Sequence, residues 1–135
     1  MQINPYLSFN GNCAEAFAFY EKALGGKITM KMTYGESPMA AQTKPEDKSR
    51  IMHVRLEAQG AVLLGADAPQ QYAQKPAGFC TSINVTNPAD ADRIFKALSE
   101  GGKVNMPIQE TFWAQRFGMT LDRFGQPWMV NCGKM

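Results

Sequence analysis

"LSFNGNCAEAFAFYEKALGGK", residues 7 to 27, decides the fold, because its pattern returns as "INVTNPADADRIFKALSEGGK" at residues 83 to 103. At this shift of 76, Leu7 falls on Ile83, Phe9 on Val85, Phe19 on Phe95, and Gly25, Gly26 and Lys27 on Gly101, Gly102 and Lys103. Each copy reads as a short alternating strand, a polar cap region and a helix stopped by two glycines. In the second copy Asn87 stands before Pro88, a cap residue followed by the residue best suited to a first helical turn.

The second half of each copy follows the same logic. At a shift of 65, "VRLEAQGAVLL" (54 to 64) meets "MTLDRFGQPWM" (119 to 129), with Leu56 on Leu121, Glu57 on Asp122 and Gly60 on Gly125. Both read as a strand, a tight glycine turn and a returning strand. The shifts differ by 11, which is accounted for by the polar loop "GESPMAAQTKPEDKS" at 35 to 49, present only in the first copy. The chain is therefore expected to be one α+β domain of two tandem β-α-β-β-β modules, 1–67 and 78–133, joined by a linker at 68–77. Four strands alone leave open edges, so the modules are expected to share one curved, partly open mixed sheet with the helices on its outer face.

Strand alternation then sorts side chains between the two faces. Leu7, Phe9, Ile83 and Val85 are expected beneath the helices, with Asn4, Tyr6, Ser8, Cys80, Ser82 and Asn84 on the other face. In the third strands Met52, Val54, Leu56, Phe117, Met119 and Leu121 take the apolar side, leaving His53, Arg55 and Thr120 opposite. Trp128 and Val130 fall beneath the helices, and Asp122 and Gly125 serve the last turn. The face away from the helices is thus mixed in character, which suits a wet ligand cavity better than a packed core.

Bulk properties narrow the function classes. A chain of 135 residues, 44% hydrophobic and 19% charged, has the size and balance of one globular domain. It contains no apolar run of about 18 residues, so no membrane is expected as a partner. A net charge of +2 with scattered Lys and Arg makes no basic stripe, so nucleic acid is not expected either. The first residues, "MQINPYLSFNGN", lack the basic start and apolar core of a secretory signal, and the three cysteines lack C-x-x-C spacing. Reduced thiols and a cytoplasmic location are the expectation.

The paired modules, with "FYEKALGGK" in the first helix, resemble the vicinal-oxygen-chelate superfamily of glyoxalases, bleomycin-resistance proteins and extradiol dioxygenases. "YLSFNGNCAEAFAFYEKALGG", "YGESPM", "IMHVRL" and "QETFWAQRFGMTLDRFGQPWMVN" are closest to its PhnB-like branch, some of whose members carry a 3-demethylubiquinone 3-methyltransferase-like label. The resemblance implies the glyoxalase-like fold. In metal-dependent members it also implies ligands, usually His, Gln or Glu, from the first and fourth strand of each module. Those places correspond here to Asn4, Leu64, Cys80 and Met129, a set without the usual donors. No glycine-rich strand-to-helix turn of the nucleotide-cradling kind is present, and no cofactor is expected.

Several residues remain as site candidates. His53 reads either as a general acid or base or as a histidine hydrogen-bonded across neighbouring strands. Asp67 and Glu36 read as possible general bases or as turn and lid residues, and no nucleophile triad is apparent. The expected function is binding of a small organic ligand by Tyr6, His53, Arg55, Ser82 and Trp113, without the usual metal and with the 35–49 loop as a lid. Two alternatives stay open: a metal-dependent lyase, isomerase or dioxygenase of the glyoxalase type, with a variant site at His53, Asp67 and Glu36, and a methyltransferase. A homodimer is expected, Trp113 being equally suited to the ligand or to the dimer contact.

Overall fold

A computed structural model describes residues 1–134 of the chain. Two compact units are resolved, Met1–Gln74 and Lys75–Met135. The first holds β1 (Tyr6–Phe9), α1 (Cys13–Leu24), β2 (Lys27–Thr33), β3 (Ile51–Ala58) and β4 (Ala61–Asp67). The second holds β5 (Thr81–Val85), α2 (Pro88–Ser99), β6 (Lys103–Gln109), β7 (Ala114–Leu121) and β8 (Pro127–Gly133). This is the tandem β-α-β-β-β architecture of a glyoxalase-like α+β fold. Strand order is β1-β4-β3-β2 in one unit and β5-β8-β7-β6 in the other. The β1–β4 and β5–β8 pairs are parallel and the rest antiparallel, so the sheet is mixed as expected. Backbone pairing among the described residues closes within each unit, which refines the expected shared sheet into two four-stranded ones.

In the first unit Leu7, Phe9, Val54, Leu56 and Leu63 are buried with Ala16, Phe17, Tyr20 and Ala23 of α1. The rings of Phe17 and Tyr20 meet edge to face at 5.5 Å, the arrangement their quadrupoles favour. Helix and sheet approach closely over Gly65, where an added Cβ would lie 2.5 Å from the Phe17 ring. The helix ends at Gly25 in the left-handed region, with the Gly26 N–H donating to the Glu21 carbonyl.

Asp67, at the end of β4, fixes where this helix begins. Its Oδ1 accepts the backbone N–H groups of Gly11 (2.7 Å) and Cys13 (3.1 Å), and its Oδ2 accepts that of Ile51 (2.8 Å). Asn12, the residue before the helix, makes no side-chain cap bond, so a carboxylate from a distant strand does that work. In the second unit the cap is local: the Asn87 side chain accepts from the Ala89 N–H at 2.8 Å. The position equivalent to Asp67, Cys132, is then free to be a buried thiol.

Side-chain orientation follows expectation in β1 and β3 and departs from it in β7. Thr120 is buried, its hydroxyl accepting from Ser99 of α2 at 2.9 Å, and a Cβ on Gly118 would meet the Phe95 ring of the same helix. The helix side of β7 is therefore Gly118 and Thr120, and Phe117, Met119 and Leu121 face away. The cause is a single residue in a turn. The β3–β4 hairpin closes at Ala58 and Ala61 around Gln59 and Gly60, both at positive φ as a two-residue turn of the primed type requires. The β7–β8 hairpin closes between Asp122 and Gln126 around three residues, ending in Gly125 at φ 87°. One extra residue turns the whole preceding strand over, so a shift of 65 holds for β8 while β7 follows a shift of 64.

The last turn is held from beneath by buried Asp122. Its Oδ1 accepts the N–H groups of Phe124 and Gln126, and its Oδ2 accepts the indole N–H of Trp128 at 2.8 Å. Trp128, Val130 and Cys132 fill the space under α2, as expected for the first two.

Candidate functional site

The face of the first sheet away from α1 is set by register. Leu7, Val54 and Gly65 point to the helix, so alternation places Tyr6, His53, Arg55 and Leu64 opposite. Cross-strand pairing adds Met30 beside Arg55 and Met32 beside His53. Here the Tyr6 hydroxyl and His53 Nδ1 lie 3.2 Å apart, with ring centroids at 5.9 Å. Two residues expected at the site are thus brought into hydrogen-bond contact from strands 47 positions apart. Tyr6 remains 49% exposed, and the partial burial of its phenol is the main cause that holds it above the ordinary tyrosine range, followed by the neighbouring Cys13 and Tyr34. Tyr6 is therefore a neutral hydroxyl near neutral pH. When it donates to Nδ1, the ring proton resides on Nε2, which then offers a second donor. Arg55 lies two residues from His53 and pairs with Glu57 at 3.3 Å, both partly exposed.

The other candidates are placed differently. Asp67 is buried and turned toward the starts of α1 and β3, where three backbone donors occupy it. Glu36 closes a capping box around a 3-10 turn, its Oε1 accepting from the Thr33 N–H (3.0 Å) and hydroxyl (2.8 Å). Those two bonds hold its carboxyl below the ordinary glutamate range. The 35–49 loop carries three 3-10 turns and is tied at its base, where Tyr34 and Gly35 donate to the carbonyls of Arg50 and Lys48. Tyr34 also donates through its hydroxyl to the Asp67 carbonyl at 3.1 Å.

In the second unit, the face away from α2 carries Ser82, Asn84, Met129, Asn131, Phe117 and Met119. Trp113 lies edge to face on Phe117 at 5.2 Å and remains 47% exposed, and Phe112 meets it edge to face at 4.7 Å. Asn131 Nδ2 donates to Asn84 Oδ1 at 3.2 Å, and Asn84 Nδ2 donates to the Ser82 hydroxyl at 3.4 Å. The expected set contained Ser82 and Trp113 but neither asparagine. Parallel pairing of the first with the fourth strand, Asn84 opposite Asn131, is the signal that joins them.

The same register tests the metal positions. Leu64 is paired with Tyr6 and Met129 with Ser82, two residues on from Asn4 and Cys80. Either choice offers hydroxyl, amide, thiol, thioether and hydrocarbon groups, and two of the four places cannot supply a good donor to a hard cation. Among the described residues no three His, Cys, Asp or Glu side chains come together, so His53, Asp67 and Glu36 do not converge. The residues do not fit a divalent ion of the glyoxalase type.

Residues 2–130 match the model of the Glyoxalase/Bleomycin resistance protein/Dioxygenase superfamily, and the chain belongs to that superfamily. Protein YjdN of Escherichia coli (strain K12) is 35% identical over 142 residues, spanning 99% of this chain and 97% of its own. The crystal structure of protein PA1353 from Pseudomonas aeruginosa superposes with a TM-score of 0.90 at 45% identity, covering 100% of this chain and 99% of that one. A Bacillus cereus structure described as a putative 3-demethylubiquinone-9 3-methyltransferase, PhnB protein, gives a TM-score of 0.78 at 20% identity, over 98% and 100% of the two chains. At that identity the likeness is one of fold. No described helix is long and apolar enough to cross a membrane.

Proposed function

We propose that this member of the superfamily binds a small organic molecule on the open face of its first module, through hydrogen bonds and without the metal that other members use. The observation that carries the reading is the Tyr6–His53 contact at 3.2 Å on a face otherwise formed by Met30, Met32, Leu64 and Arg55. The Tyr6–His53 pair leaves one donor for a ligand, the Nε2–H when the phenol donates to Nδ1, and the Arg55 guanidinium offers more, so the ligand is one with carbonyl or carboxylate oxygens. The thioethers and Leu64 supply an apolar, adaptable surface for the rest of it. Tyr6, being hard to ionise, serves as a donor to His53 and an orienting group, and the His53 imidazole is the acid–base group of the pair. The protein acts as a homodimer in the cytoplasm, where its three unpaired cysteines remain reduced.

Equilibrium dialysis against a bacterial metabolite extract, read by mass spectrometry, tests this reading. Wild type should concentrate one or a few oxygen-bearing small molecules, and His53→Ala and Arg55→Ala should lose them while melting as wild type does. Enrichment that survives both substitutions would place binding elsewhere.

A further inference from the structure

Resting on the ligand site proposed above for Tyr6, His53 and Arg55, we infer that Glu57 sets the charge class of its ligand: by holding Arg55 in an ion pair, it selects neutral carbonyl compounds over carboxylates.

Glu57 shares the open face with His53 and Arg55, because Val54 and Leu56 between them are the ones buried beneath α1. Its Oε2 lies 3.3 Å from Arg55 Nε, and the two side chains are 45% and 40% exposed, so both are accessible to an arriving molecule. The carboxylate also takes a hydrogen bond from the Thr29 side chain, and that bond, followed by the one from Arg55, holds it below the ordinary glutamate range. Glu57 is therefore charged near neutral pH. Thr29 itself sits at a bulge: Ile28 stands opposite Leu56 and Met30 opposite Arg55, which leaves Thr29 as the extra residue, and bulges re-aim side chains in this way.

An exposed ion pair of this kind adds little to stability. Its effect on the character of the face is larger. Tyr6, Met30, Met32 and Leu64 around Arg55 carry no formal charge, so without Glu57 the guanidinium would take a carboxylate as its natural counter-ion. With Glu57 in place the two charges offset each other. A carboxylate arriving at the same guanidinium meets the carboxylate already there, gives up hydration and gains no net attraction. A carbonyl oxygen accepts from Arg55 and from His53 Nε2–H and presents no charge for Glu57 to repel. Lys27 stands opposite Glu57 in the register but forms no ion pair with it among the described residues, and its charge stays with solvent on the edge strand.

The chain has a single histidine, so its imidazole resonances report on this face. The intact protein is titrated at low salt with acetophenone and with benzoate, a ketone and a carboxylate of similar shape. In wild type, acetophenone should shift the imidazole signals saturably at millimolar concentration, and benzoate should bind at least about fivefold more weakly, the effect of one close unit charge in water. Glu57→Gln keeps the shape and an acceptor oxygen but removes the charge. It should melt as wild type does and bring benzoate level with acetophenone or ahead of it, a gain that high salt should reduce. Glu15→Gln removes the same charge from the exposed side of α1 and should leave the ratio unchanged. Benzoate binding as tightly as acetophenone in wild type, no saturable shift with acetophenone, a ratio that Glu57→Gln leaves unchanged, or one that Glu15→Gln alters equally would each overturn the role of Glu57. Failure of the underlying site has a different signature, metabolite enrichment that survives His53→Ala and Arg55→Ala.

Discussion

Asp67 shows how much a single carboxylate can determine. It joins the end of β4 to the start of both α1 and β3 through three backbone N–H groups and is almost completely buried. Asp67→Asn keeps the shape but turns a donor toward at least one of those N–H groups. Urea unfolding should show a loss of roughly 2 to 3 kcal/mol, in the range of hydrogen bonds to a charged group. His53→Ala, on the open face, should stay within about 1 kcal/mol of wild type. Equal losses would mean that the Tyr6–His53 pair supports the fold rather than a ligand. From sequence, Asp67 reads as a possible general base or a turn residue at the end of a strand, and its role at the helix start is hidden because its donors lie 56, 54 and 16 positions away.

Tyr6 carries a second prediction at the same scale. Its folded pKa is raised by burial, so the folded state holds the phenol proton more tightly than the unfolded chain does. The sign follows: its contribution to stability is complete below the unfolded tyrosine value of about 10 and disappears as pH rises through the higher folded value. Subtracting the phenolate absorbance titration of Tyr6→Phe from that of wild type should isolate one group ionising above 10. A difference curve centred below that value would show that Tyr6 is not shielded.

At the scale of elements, the sequence revealed the strands, both helices and their order, because the repeat preserves hydrophobic spacing and glycine stops in both copies. It could not reveal the facing of β7. The turn at 123–125 has one residue more than the turn at 59–60, and a Gly placed at the end of each disguises the difference. Phe117, Met119 and Leu121 form an apolar row on either assignment, so composition gives no warning. What decides it is how closely α2 approaches the sheet. A Cβ at Gly118 would lie 2.6 Å from the Phe95 ring and 3.0 Å from the Ile108 Cα, leaving no slack. Gly118→Ala should therefore cost about 1 to 3 kcal/mol by overpacking, whereas Gly133→Ala, with nothing within 4 Å, should be neutral. Thermal melts of both variants decide it; a neutral Gly118→Ala would return β7 to the orientation inferred from the shift of 65.

For the whole molecule, the donor set predicts that the purified protein retains no stoichiometric divalent metal. Leu64 and Met129 stand in the fourth strands where other members place ligands, and neither the hydrocarbon nor the thioether suits magnesium, manganese or zinc. Elemental analysis after dialysis, using protein prepared without a histidine tag, checks this. One retained equivalent would restore a metal-dependent reading, and its loss in His53→Ala would locate the ion.

Assembly is the remaining question at this scale, and the proposed homodimer rests on what each unit leaves uncovered. β1 and β2 end the first sheet, β5 and β6 end the second, and a strand at an edge offers unpaired backbone groups to a partner. Phe112, at 89% exposure, adds a large apolar ring just beyond β6, supported from behind by Trp113. Exposed aromatic residues beside an open edge are the composition of an interface core, and a two-fold contact lets one such patch cover its own copy. Sedimentation equilibrium at micromolar concentration should give twice the chain mass of 14.9 kDa. Phe112→Ser should shift the distribution toward monomer without lowering the melting temperature measured at high dilution, since the ring lies outside either core. A wild-type monomer throughout the range would reject the dimer and leave Phe112 as an exposed cover over Trp113.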